Sequence, residues 1–104
     1  MSDFTVHGNL SSAKDNYPFL LDIQSGLLEN LQTRLVIPLM RKAQISNSII
    51  KNLNPIAIIN DEEYVVMTQQ MAAIPKAVLG PISENSRFSR AEVLTAVDLL
   101  ITGI

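Results

Sequence analysis

The chain has 104 residues, no cysteine, a formal net charge of −2, and 47% apolar against 17% charged residues. One domain with a modest core fits that length, and the absence of cysteine excludes a disulfide framework and a thiolate metal site. An acidic balance, with a pI near 5.2, excludes the broad basic surface that phosphate binding needs, while the apolar excess points to surface covered by a partner, most simply a second copy.

Residues 4–7 (Phe-Thr-Val-His) alternate, which predicts a strand with Phe4 and Val6 on one face. Residues 8–16 are dense in turn formers and read as a loop or the open end of a hairpin. A second strand is predicted over 17–24, with Pro18 near its start, where a missing amide does least harm. Ser25-Gly26 ends it. Leu27 and Leu28 then stand side by side in a polar-flanked connector, and neighbouring side chains in an extended or turning segment cannot both face one core. One of the two leucines is therefore expected at the surface.

The strongest strand signal is residues 34–39 (RLVIPL), a continuous apolar run suited to burial on both faces. Pro38 within it implies an edge, a bulge or the strand's end, because a central ladder position would lose a hydrogen bond. Residues 40–54 stay open between a loop and a short helical turn. Apolar runs at 55–59 and 63–67 flank Asn60-Asp61-Glu62, whose residue types tolerate the backbone angles of tight turns, so a hairpin is expected. Residues 71–74 and 76–79 surround Pro75 and end at Gly80-Pro81, predicting a last strand with a proline kink.

After a linker at 81–86, residues 87–102 are predicted to form a helix. At about 100° per residue, Val93, Leu94, Val97, Leu100, Ile101 and Ile104 share an arc of roughly 120°, the expected core face, opposite Glu92, Thr95, Asp98 and Thr102. Ser89 and Glu92 have capping-box spacing, although Ser86 could equally open the helix. Gly103 supplies the stop, and the Ile104 carboxylate falls at the negative end of the helix dipole, where it should seek a cation. Asp98 and Thr102 form an i, i+4 pair away from the apolar stripe, so the tip suits an arginine on a partner. Together these elements predict about five or six short antiparallel strands over residues 3–80 and one terminal helix, a single unit whose strands escape open edges by closing into a small barrel.

Residues able to do chemistry are sparse. His7 has no cysteine or second histidine to pair with and reads as a partly exposed strand-end side chain. Asp61-Glu62-Glu63 lacks the spaced oxygens of a calcium loop and reads as a solvated hairpin tip. Ser25 lacks the glycines of a nucleophile elbow. Arg34 reads as an ordinary surface ion-pair former, and Met67, Met71 and Ile74 as core filling. No catalytic residue, metal ligand or cofactor is expected, so the residues argue against an enzyme. The apolar runs fall short of the roughly twenty residues of a membrane span, and the N-terminus lacks a charged-then-apolar signal pattern. The cytoplasm is the expected compartment.

The segments LDIQSGLL, TRLVIPL, MTQQMAAIP and the terminal LLITGI follow one another in the order and places of their counterparts in CcdB-type plasmid-maintenance toxins. The chain resembles that family from Phe4 to Ile104. The resemblance implies a mainly β fold with one C-terminal α-helix, a small Src-homology-3-like antiparallel β-barrel of the CcdB/MazF type, as a single toxin domain over 1–104. It implies a homodimer that poisons the A subunit of DNA gyrase by trapping the gyrase–cleaved DNA complex, neutralised by a CcdA-like antitoxin whose disordered segment wraps the dimer. Gyrase contacts would come from Leu27, Leu28, Asp98, Ile101, Thr102, Gly103 and Ile104, and the dimer interface from Met71, Leu100, Ile101 and Ile104. A well-known member carries, at the position of Thr102, a tryptophan that stacks on a gyrase arginine, and threonine cannot make that stack. Two alternatives stand beside this reading: a MazF-type endoribonuclease on the same fold, and a non-toxic dimeric interaction module.

Overall fold

A computed structural model of the chain describes residues 4–24, 28, 30–45 and 49–103. Its longest strand is β3 (Thr33–Arg41), and the other strands assemble around it. Val36 and Ile37, successive residues that point to opposite faces, are both buried, as the unbroken apolar run requires. Both faces of β3 are covered because the sheet curls.

Two strands lie to one side of β3: β1 (Thr5–Asn9) pairs with β2 (Phe19–Asp22), and β2 pairs with β3. On its other side β3 has two partners in succession. β4 (Ile56–Ile59) and β5 (Glu62–Val66) form a hairpin whose second strand pairs with Leu39–Arg41 of β3, while β6 (Ala72–Pro75) pairs with Thr33–Val36. β7 (Leu79–Ile82) returns to β1, and β8 (Ser86–Arg87) adds to β4. All pairings are antiparallel, in the order β7-β1-β2-β3-β5-β4-β8 with β6 beside β3, and the result is a curled half-barrel. Helix α1 (Arg90–Thr102) completes the described chain.

Pro38 lies inside β3 rather than at its end, because its side of the strand changes neighbour there. The β6 register stops at Val36 and the β5 register begins at Leu39. Pro38 keeps its acceptor in use, taking a hydrogen bond from the Met67 amide at 3.0 Å, and its missing donor faces the gap between the two partners. No ladder bond is lost.

The β4–β5 hairpin turns on two residues, Asn60 (φ 52°) and Asp61 (φ 67°), both left-handed, the conformation whose twist suits adjoining strands. The expected last strand is in fact two, because a 3-10 turn at Lys76–Val78 follows Pro75 and redirects the chain from β3 to β1. With β8 found just before the helix, the described residues form a sheet of eight strands rather than the five or six expected.

The core gathers Val6, Leu21, Ile37, Leu39, Ala57, Ile59, Tyr64, Val66 and Val93, with Phe4, Phe88 and Val97 packed against it. α1 starts at Arg90, where the Ser89 hydroxyl accepts from the Glu92 amide at 3.1 Å. The Arg90 guanidinium lies over the Phe4 ring at 4.7 Å, fastening the helix start to the beginning of the described chain. Among the described residues no helix is long and apolar enough to cross a membrane.

Candidate functional site

The helix face turned to the barrel differs from the expected stripe. Val93 and Ala96 are fully buried and Val97 packs on the core, whereas Leu94 is 43% and Ile101 70% exposed, and Leu100 is also exposed. The cause is that α1 is apolar most of the way round, so periodicity alone does not choose its seam. Val93 and Ala96 form the covered seam, the helix lying closest to the 3-10 turn at Thr68–Gln70, and Leu94 and Ile101 are left on the exposed side. At about 100° per residue these two fall on one flank, next to Asp98 and Thr102. Residues 100–103 at the helix end are all exposed.

That last turn is tightly finished. Gly103 adopts φ 73° and its amide donates to the Leu99 carbonyl at 2.9 Å, the left-handed stop that glycine makes most easily. Open space surrounds the place where a side chain would stand at Gly103, so backbone conformation rather than room selects glycine. The Thr102 hydroxyl donates to the Asp98 carbonyl at 2.7 Å. Asp98 itself is exposed, leaving its carboxylate turned to solvent at the flank.

The other expected contact region is the connector between β2 and β3. Leu28 is 47% exposed and accepts from the Leu31 amide at 3.2 Å, so it rides on a short turn with an exposed side chain. Leu27 and Ile104 lie outside the described residues. Of the expected dimer residues, Met71 is partly buried against the core, while Leu100 and Ile101 belong to the exposed helix end.

Arg34 departs most from expectation. It is not on the surface: Nε meets Asp22 Oδ2 at 3.0 Å and Nη2 meets Asp22 Oδ1 at 3.2 Å, with side chains 7% and 11% exposed. A guanidinium in that setting needs a two-pronged partner to offset its lost hydration, and Asp22 across the β2–β3 ladder supplies one. The sequence held a signal for this, a charged residue at the head of an otherwise apolar run with an aspartate inside the preceding one. The pair borders an open cavity of about 460 Å³ that His7, Lys76 and Asn30 also line. His7 is inside β1 rather than at its end, and its Nδ1 donates to the Gly80 carbonyl at 3.0 Å.

Chemically, this arrangement contains two different surfaces. The cavity brings a histidine, an arginine, a lysine and an aspartate together, but the arginine and aspartate are engaged with each other. Among the described residues, the helix end presents an apolar flank beside the Asp98 carboxylate on a capped support, which suits recognition of another protein. Compared with known families, residues 3–103 match the model described as CcdB protein.

Proposed function

The chain belongs to the CcdB family, whose members are toxins of toxin–antitoxin modules, and from that premise we propose that it binds the A subunit of DNA gyrase and traps the enzyme on cleaved DNA. The observation that carries this reading is the end of α1, where Ile101 is 70% exposed beside the Asp98 carboxylate. An exposed isoleucine on a helix end that is capped and anchored at its other end is a costly feature for a free surface and a suitable one for a docked partner. Asp98 would take an arginine of gyrase, with Ile101, Thr102, Gly103 and Ile104 completing the contact and Leu27 and Leu28 adding a second edge.

The toxin acts as a homodimer through Met71, Leu100, Ile101 and Ile104, wedged between the two gyrase A subunits while DNA is cut. It works in the cytoplasm and makes or breaks no bond itself. A CcdA-like antitoxin neutralises it by covering the same dimer. The test is supercoiled plasmid with gyrase, ATP and the purified protein: linear DNA should accumulate after detergent treatment, and deletion of Gly103 and Ile104 should abolish it in a dimer that still folds. Unchanged trapping by the truncated dimer would refute the reading.

The ribonuclease alternative draws on the cavity that gathers His7, Arg34 and Lys76. Its weakness is that Arg34 already grips Asp22. Cleavage of single-stranded RNA by the purified protein, lost in a His7→Ala variant, would favour it.

A further inference from the structure

Arg34 has donors to spare. A guanidinium carries five N–H groups, and here Nε is spent on Asp22 Oδ2 at 3.0 Å and Nη2 on Asp22 Oδ1 at 3.2 Å and the Gln24 carbonyl at 3.4 Å. Nη1 meets no acceptor among the described residues, although Arg34 is only 6% exposed. Among those residues the buried side-chain atom without a partner is Thr68 Oγ1, so Nη1 is not sealed from solvent. Its opening is the cavity of about 460 Å³ that the arginine lines.

Asp22, the acid of that cavity, has both oxygens engaged: Oδ2 takes Arg34 Nε, and Oδ1 takes Nη2 and the Gln24 amide. The polar side of the space is therefore rich in donors, with Lys76 and Asn30 lining it beside Nη1. His7 adds Nε2, since its Nδ1 is spent on the Gly80 carbonyl at 3.0 Å. The other wall is apolar, made by Leu79 and Ile82 of β7, and Ile82 is 56% exposed. Small-molecule sites run to roughly 300–1,000 Å³, so this space suits an organic anion with a body rather than a bare ion.

We propose that the cavity binds a small phosphate monoester, its phosphate on Arg34 Nη1 and His7 Nε2 and its organic body against Leu79 and Ile82. Phosphate oxygens make strong bonds to a guanidinium, and Nε2 accepts from a protonated phosphate oxygen or, with the ring charged, donates to it. The site stands apart from the gyrase reading, because it shares no residue with the helix end.

His7 is the single histidine of the chain, so its ring signal in a nuclear magnetic resonance titration reports on the cavity alone. Phenyl phosphate should move that signal saturably at constant pH and ionic strength. Inorganic phosphate, phenylacetate and benzyl alcohol, each lacking either the body or the phosphate, should bind more weakly. The double variant Asp22→Leu/Arg34→Met removes the guanidinium without stranding Asp22, and its affinity should fall about tenfold or more, the scale of one charge-assisted hydrogen bond. Lys51→Met, at an exposed cation outside the cavity, should bind as the wild type does.

If the double variant does not fold, Ile82→Asp carries the comparison, since it sets a like charge beside the phosphate from an exposed position and should abolish binding. The proposal is overturned if phenyl phosphate leaves the His7 signal unmoved, if benzyl alcohol or phenylacetate binds as tightly, or if Lys51→Met weakens binding as much as the cavity variants do. Cleavage of single-stranded RNA that is lost in the same cavity variants would overturn it in favour of the ribonuclease reading.

Discussion

Arg34 grips Asp22 with two prongs across neighbouring strands, Nε to Oδ2 at 3.0 Å and Nη2 to Oδ1 at 3.2 Å, with both side chains nearly out of water. Removing one member strands the other as a buried charge. Arg34→Met alone should therefore cost about 3–5 kcal/mol in denaturant unfolding, while the double variant Asp22→Leu/Arg34→Met should recover most of that loss. The double-variant cycle measures the coupling directly.

The two sides of α1 should respond differently to truncation. Val93→Ala empties a fully buried position and should lower stability by about 2 kcal/mol. Leu94→Ala, at a side chain 43% exposed, should lower it by about 1 kcal/mol or less, which thermal unfolding of the two variants will separate.

Much of this fold was legible in the residues, and the failures have identifiable causes. The β4–β5 hairpin was readable because Asn60 and Asp61 are residue types that accept left-handed angles, a local property. The seam of α1 was not, since Leu94 and Val97 are both large and apolar and the choice between them depends on how the helix is seated in the assembled fold. The burial of Arg34 escaped for a related reason. Its partner is 12 positions away on another strand, and strand register follows from the assembled sheet rather than from either segment. The exposed Leu28 was anticipated as one of two adjacent leucines, but nothing local pointed to Gln24, whose bonds to Asp22, Arg34 and Leu35 form only when β2 and β3 come together.

Gly103 stands at φ 73° with open space around it. Gly103→Ala should therefore fit sterically yet strain the backbone, fraying the last helical turn at a cost of about 1 kcal/mol. Circular dichroism and thermal unfolding will register it.

The turn at Asn60-Asp61 leaves room for improvement. Asp61 sits at φ 67°, and an Asn-Gly pair suits such turns best, so Asp61→Gly should raise stability by up to about 1 kcal/mol in chemical denaturation.

Tyr64 provides a test at alkaline pH. Burial, followed by the Glu62 carboxylate, raises its hydroxyl above the ordinary 10.0, with Arg41 opposing. The folded state thus favours the neutral phenol. Its contribution is complete below pH 10.0 and is lost as pH rises from there through the folded value, because the unfolded chain ionises first. Phenolate absorbance should show Tyr64 titrating late, and Tyr64→Phe should remove this component of alkaline destabilisation.

The pairing of β1 with both β2 and β7 has a kinetic consequence. His7 reaches Gly80 across a sequence separation of 73 residues, so the first strand cannot acquire its second neighbour until nearly the whole sheet has been threaded. Refolding should therefore be dominated by slow closure of distant segments, on the scale of about milliseconds to seconds rather than microseconds. Until that closure, the edge of β1 is an open template on which two nascent chains can pair with each other.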